Sequence, residues 1–309
     1  METLRNEVIK ALEGKLGEKY QIIPRDKRKN NGIIRHGICI HKENERVSPL
    51  VYLDEYGFSA MGEMNPDDIA DVLLRAYRQK KIPQNIATDL WDFGWAQKRI
   101  RVRVVNYDAN LETLDKSPHR KFLDLAITYY LEMAIAGQGA SIAITNELME
   151  SWGVTEDDLY RIGMEKLFAE DACCITEMFR LLRQLAQEEQ DEMTEAVMAE
   201  FEEDRNLPKM YVAFNQKHSF GANCLLNVSL LQEFAESRGC SLIIYPSSIH
   251  EIILLPANDK NENCLDTRSI QEINHLSVLK NEWLSNSIYR YDREKKEVSV
   301  YKEGAPLLW

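Results

Sequence analysis

Between Leu123 and Ile135 every odd position is apolar: Leu123, Leu125, Ile127, Tyr129, Leu131, Met133 and Ile135. The stretch is long enough to be a helix, but a helix would scatter these positions around its circumference. An extended chain turns alternate side chains to opposite faces, so a strict repeat of two gathers all seven on one side. The segment is therefore read as a strand. Lys98 to Val105 repeats the pattern, with Arg99, Arg101 and Arg103 alternating with Ile100, Val102 and Val104. A sheet is thus expected in the middle of the chain.

Both flanks carry the other periodicity. Leu4, Val8, Ile9, Leu12 and Leu16 recur at three and four residues and predict an amphipathic helix. Strand-like runs follow at 20–24, 32–41 and 48–53, with the turn sequence Lys29-Asn30-Asn31-Gly32 between the first two. Asn65-Pro66-Asp67-Asp68 then offers a cap, a proline at the first helical position and acids in the first turn, ahead of a helix to Tyr77. Gly137 and Gly139 bracket a turn before a strand at 141–144, and two short helices are expected at 145–152 and 155–168. The composition of 171–204 reads as helical and acidic, closed by Pro208. Strands at 210–214, 242–245 and 249–255, helices at 225–237 and 267–279, and a hairpin of 288–291 with 298–301 complete the reading.

The expected fold class is α+β: two mixed modules, each a small sheet covered by helices, with a helical acidic segment between them. The boundaries are residues 1–82 for an α-β-β-β-α module, 83–170 for a central strand and helix region, 171–207 for the acidic segment and 208–309 for a C-terminal α+β module. Of the 309 residues, 44% are apolar and 28% charged, enough to bury a sizeable core.

No run approaches the length of a membrane helix, and the charged start does not resemble a signal peptide, so a cytoplasmic protein is expected. The formal charge of −12 disfavours nucleic acid as a partner. Six scattered cysteines (Cys39, Cys173, Cys174, Cys224, Cys240, Cys264) form no C-x-x-C pair and are read as reduced thiols. His36, His41, His119, His218, His250 and His275 offer no H-x-x-x-H or H-E-x-x-H spacing, so neither a metal nor a cofactor is called for.

Two short segments could carry chemistry. Pro246-Ser247-Ser248-Ile249-His250-Glu251 lies between apolar runs that must be buried, so its polar side chains stand on a rigid frame. Ser247 or Ser248 would be the nucleophile, His250 the base and Glu251 its orienting carboxylate. Neighbouring strand residues point to opposite faces, which weakens that triad, and the other reading is a turn whose serines satisfy backbone groups. Pro118 to Asp124 brings His119, Arg120 and Asp124 together, either as an acid–base or anion site with His119 meeting His250, or as an Arg120–Asp124 ion pair at a strand entrance.

Arg99, Arg101 and Arg103 would form one cationic strand face, for a partner or simply solvated. Gly221-Ala222 sits between a strand and a helix and lacks dinucleotide glycine spacing. Glu188 to Asp204 holds nine acids in seventeen residues, with Met193, Val197, Met198 and Phe201 as an apolar stripe. It is expected to be a docked helix; imitation of a nucleic-acid backbone is the alternative to a solvated face.

Taken in order, several motifs resemble a known family. They are Lys29-Asn30-Asn31-Gly32, Ser48-Pro49-Leu50-Val51-Tyr52-Leu53, Val105-Asn106-Tyr107 with Asn110, and Pro118-His119-Arg120 with Phe122-Leu123-Asp124-Leu125. Thr145-Asn146-Glu147-Leu148 with Trp152-Gly153-Val154, Gly221-Ala222, Pro246 to Glu251 and Leu284-Ser285 extend the set over nearly the whole chain. It resembles an uncharacterised family of gut Firmicutes, the domain of unknown function 5688. The resemblance implies a setting of genomes rich in mobile elements and no assigned activity.

The function expected is a non-catalytic binding or regulatory protein acting on a protein or peptide partner. Arg99, Arg101, Arg103, Arg120, Asn106 and Asn215 are its candidate contacts. The alternative is a hydrolase using Ser248, His250 and Glu251.

Overall fold

A computed structural model describes residues 2–45, 47–53, 65–79, 83, 85–135, 138–203, 209–217, 219–258 and 266–307. His218, Cys264, Gly137 and Pro208, each named above, lie outside them. The first hundred residues give α1 (Glu2–Leu16), β1 (Tyr20–Arg28), β2 (Ile34–Lys42), β3 (Leu50–Tyr52), α2 (Pro66–Gln79), α3 (Ile86–Asp89) and α4 (Phe93–Ala96). Then come β4 (Ile100–Asn106), α5 (Leu111–Leu114), β5 (His119–Phe122), β6 (Leu125–Ile135), β7 (Gln138–Ala143), α6 (Asn146–Ser151) and α7 (Glu156–Glu170). The remainder gives β8 (Cys173–Glu177), α8 (Met178–Glu189), α9 (Glu192–Glu203), β9 (Tyr211–Asn215), α10 (Val228–Arg238), β10 (Leu242–Tyr245), β11 (Glu251–Pro256), α11 (Thr267–Ser277), β12 (Ile288–Asp292) and β13 (Glu297–Lys302). The class is α+β, with three sheets among the described residues.

Two compact units divide the chain, Met1–Ile100 with Tyr130–Thr155 and Arg101–Tyr129 with Glu156–Trp309. In the first, β1, β2 and β3 form an antiparallel sheet. Asn31 takes φ 57° in the β1–β2 turn, a left-handed conformation that asparagine tolerates better than most residues. Val8 and Leu12 of α1, Ile38 and Ile40 of β2, Val51 of β3 and Leu73 of α2 make one core. Asn65 caps α2 by accepting from the Asp68 amide at 2.9 Å. Lys15 Nζ ties α1 to α2 through Asp71 at 2.8 Å.

In the second unit a six-stranded antiparallel sheet runs β13-β12-β10-β11-β9-β8. Its outer strand β8 departs from the helical reading of 171–204. The β-branched pair Ile175-Thr176 pairs with Ala213 and Val212 of β9, a short signal masked by the acidic composition that follows. β4 also departs from expectation. Both its faces are covered, so Arg101 is only 7% exposed and its guanidinium donates to Glu170 at 2.5 Å instead of facing water.

One buried side chain substitutes for a strand. Residues Gly221–Leu226 form a short 3-10 helix in which every residue is buried. From it Asn223 donates its Nδ2 to the Val102 carbonyl at 2.7 Å, while its Oδ1 accepts from the Val104 amide at 3.1 Å. β4 is the outer strand of the order β4-β6-β5, so Asn223 supplies both the donor and the acceptor that a further strand would. Asn223→Leu would leave Val102 O and Val104 N buried and unpaired. A loss of at least about 2 kcal/mol in urea unfolding is expected, against about 1 kcal/mol for a mere change of shape.

Candidate functional site

β5 and β6 pair as Phe122 with Leu125, which leaves Leu123 and Asp124 as a two-residue turn. Leu123 holds φ 57°, a left-handed conformation costly for a leucine, and such strain persists only where the surroundings enforce it. Here the enforcement is visible. The Tyr107 amide donates to the Asp124 carbonyl at 3.0 Å. The Asp124 carboxylate accepts from Ser285 Oγ at 2.6 Å, from Ser287 Oγ at 3.0 Å and from the Tyr289 hydroxyl. Burial and then the charge of Asp124 push the Tyr289 phenol well above its ordinary range, so it stays a donor.

The serines lie on a strap, residues 282–287, whose other edge is held by the Pro246–Glu251 segment. The Ile249 amide donates to the Glu282 carbonyl at 2.9 Å, Leu284 to Ser247 at 3.0 Å and Ser285 to Pro246 at 2.9 Å. Ser247 and Ser248 are each 3% exposed, and Ser248 Oγ accepts from the His250 amide at 3.0 Å. Gly221 packs against the same turn: a Cβ there would stand 2.2 Å from the His250 carbonyl oxygen, which only glycine avoids.

His250 accepts from the Phe220 amide on Nδ1 at 3.4 Å, which places its proton on Nε2, 3.6 Å from Glu282 Oε1. Its ring stacks on Phe220, and the Arg103 guanidinium lies 5.3 Å from the centre of that same ring. Glu282, not Glu251, is thus the carboxylate that faces His250. His119 has separate company, donating from Nδ1 to the Ser117 carbonyl at 2.9 Å and lying 5.9 Å from the Tyr107 ring.

The expected Arg120–Asp124 pair is replaced by two networks. Arg120 donates to Glu156 at 2.7 Å and to Asp157 in the first turn of α7, and it covers the Tyr160 ring at 4.0 Å. The Tyr129 hydroxyl donates to the other oxygen of Glu156, and burial, reinforced by that bond, raises its pKa. A residue four places along a hairpin turn is not a neighbour as it would be on a helix, which is why Arg120 and Asp124 part company. Arg99 stacks 4.0 Å from the Trp95 ring and donates to the Trp95 carbonyl at 2.8 Å. Asn215 closes its own loop, donating to the Ser219 carbonyl at 2.8 Å and accepting from the Ser219 amide at 3.2 Å.

Asp124 and Asn106 open instead onto a cavity of about 360 Å³. Asn106 donates to the Leu284 carbonyl at 3.0 Å and accepts from the Ala109 amide at 2.9 Å. Asp108, Ser285, Asn286, Ser287 and the segment 303–307 complete the wall. That segment is laid on the strap: Asn286 donates to the Ala305 carbonyl at 2.9 Å, and the Gly304 amide donates to Ser287 Oγ at 3.1 Å. A Cβ on Gly304 would stand 2.0 Å from the Asn286 carbonyl oxygen, so the contact requires glycine. Sequence reading named Asp124 and Asn106 but missed Ser287, Tyr289, Asp108 and Glu303. Its one available signal was the polar run Ser285-Asn286-Ser287 directly ahead of an apolar strand.

Among the described residues no group of three or more His, Cys, Asp or Glu side chains is arranged to hold a metal ion, and the five described cysteines are free. No described helix is long and apolar enough to cross a membrane.

Residues 1–293 match DUF5688, a family of unknown function. The chain belongs to DUF5688. No curated protein and no solved structure matches it. In this DUF5688 chain the Pro246–Glu251 motif therefore has a visible role: it carries the strap that delivers Ser285, Ser287 and Tyr289 to Asp124.

The raised pKa of Tyr289 has a pH signature. Below the ordinary tyrosine range, near pH 10, folded and unfolded states both keep the proton and the Tyr289–Asp124 contribution is complete. Above it the unfolded state ionises first, so stability falls as pH rises. Urea midpoints between about pH 8 and 11 should show this decline. Tyr289→Phe should start lower at pH 8, having lost a bond to a charged acceptor, yet decline less steeply; Tyr129 retains part of the slope.

Proposed function

We propose that this DUF5688 member is a non-catalytic binding or regulatory protein acting on a protein or peptide partner, and that the Asp124 cavity receives a cationic side chain of that partner. One observation carries the reading. Among the described lining residues the cavity presents Asp108, Asp124 and Glu303, the amides of Asn106 and Asn286 and two serine hydroxyls, and no Lys, Arg or His. An ammonium or guanidinium entering it meets unbalanced negative charge and several acceptors, in a volume suited to one side chain. The cavity is partly formed by backbone carbonyls already fixed by hydrogen bonds, so little has to be ordered on binding.

Binding is preferred over a hydrolase on Ser248, His250 and Glu251 because the geometry supplies no activated nucleophile there. Ser248 Oγ is engaged by a backbone amide, both serines are buried, and the His250 ring faces Phe220 and Glu282. The arginines of the expected cationic face are likewise engaged within the fold through Trp95, Glu170 and Phe220.

The test uses short acetylated peptides that differ only at a central residue, lysine or uncharged norleucine. The lysine peptide should bind the full chain at least about tenfold more tightly, the worth of one charge-assisted hydrogen bond. Asp108→Asn combined with Glu303→Gln changes the exposed rim without touching the strap, and should bring the lysine peptide down to the norleucine level. Equal binding of the two peptides by the unaltered protein would contradict the assignment, as would an undiminished preference in the double variant.

A further inference from the structure

We infer that the hairpin of α8 and α9 is a docking surface for a basic amphipathic helix of a protein partner. α8 and α9 are joined through Gln190 and Asp191, with Gln190 in a left-handed conformation and Asp191 accepting from the Thr194 amide at 3.0 Å. Gln187 of α8 donates to Glu195 of α9 across the pair. α9 is docked along α8, but its expected apolar stripe is only partly covered: Met198 is half-buried, whereas Met193 is 80% exposed and Val197 is exposed.

The exposed apolar residues form one face. On α8, Arg183 is half-buried and Ala186 buried while Leu182 and Leu185, each one position earlier, are exposed. On α9, Thr194 and Met198 are half-buried while Met193 and Val197, again one position earlier, are exposed. Residues one position before the contact line project to the same side of two antiparallel helices, because seen from one end the two chains step round their axes in opposite directions while their contact lines face each other. The four side chains therefore line one shallow furrow along the hairpin. Met193 stands mostly in water and the other three partly so, which leaves apolar area for a partner to bury.

Charge selects the occupant. Continuing each stripe by a helical turn reaches Glu189 on α8 and Glu200 on α9, and Glu188, Asp191, Glu192 and Glu195 surround it. Arg180 and Arg183 lie in the first half of α8, by Leu182, and no further Lys or Arg occurs between Gln184 and Glu200, where the acids gather. A second copy of the same face would bring these acids against each other, in a chain whose formal charge is already −12. A nucleic-acid mimic would need the acids but not the apolar furrow. A helix with leucine-like anchors on one side and Lys or Arg on its flanks satisfies both features, the helix-in-groove mode of recognition.

The surface is separate from the Asp124 cavity and does not rest on the reading of that site. The probe is a fluorescein-labelled Leu/Lys peptide of about five helical turns with leucines at three- and four-residue spacing, set against a scrambled peptide of identical composition. Anisotropy titration of the full chain at physiological salt should show the ordered peptide binding at least about tenfold tighter than the scrambled one. Leu185→Ser, Met193→Ser and Val197→Ser together should abolish that difference with an unchanged circular dichroism spectrum, since all three side chains are exposed. Glu189→Gln with Glu200→Gln should weaken both peptides and flatten the salt dependence. Asp108→Asn with Glu303→Gln should leave the ordered peptide's affinity within about twofold, being far in sequence and charge setting from the furrow. Equal binding of ordered and scrambled peptides would overturn the proposal. So would full binding by the triple serine variant, or sedimentation showing that the unaltered chain dimerises and the triple variant does not.

Discussion

The second unit is organised by a carboxylate. Asp124 sits in a turn that its own chain would not choose, with Leu123 in a left-handed conformation, and three hydroxyls from residues more than a hundred and sixty positions later hold it there. Hydrogen bonds to an ionised acceptor are about twice as strong as neutral ones, so this cluster can offset the strain of one backbone residue. Everything around the cavity follows from it. The strap 282–287 is fixed on one side by Asp124 and Asn106 and on the other by the backbone of Pro246 to Ile249, and the segment 303–307 lies on the strap in turn.

This arrangement gives a prominent polar motif a place in the framework of the fold. Pro246-Ser247-Ser248-Ile249-His250-Glu251 connects two largely buried strands, and its residues 246–249 are themselves buried. They are paired with the strap and with the Gly221 turn, while Ser248 satisfies the His250 amide. The cavity lies one layer away, where Asp108 and Glu303 are exposed, and it is there that the proposed binding would take place. Negative charge gathers both at the cavity and along the α8–α9 hairpin, which is why basic partners are proposed for both.

Much of the fold was legible because it depends on local periodicity. The strand at Leu125–Ile135 followed from alternation alone, and α2 from its asparagine cap, proline and buried stripe. What sequence could not reveal was pairing over long distances. Nothing in the alternation of Arg101 announces that α7 will bring Glu170 onto it, and nothing near Asp124 announces Tyr289. β8 was lost for a different reason: five residues carry too few repeats to outweigh the acidic helices that follow. Asp124 and Asn106 were visible as polar residues beside strands, whereas Ser287 and Glu303 acquire meaning only once the strap and the final segment are laid together.

The central claim is that ligand engages the strap and the 303–307 segment while the Pro246–Glu251 turn serves as frame. Hydrogen exchange on the full chain, with and without a saturating lysine peptide, reads this directly. Slower exchange in 106–108, 285–287 and 303–307, with the amides of 248–251 unchanged, is the predicted result. Ligand-induced protection confined to 248–251 and the Phe220 amide, with the strap unaffected, would contradict it and return the site to His250.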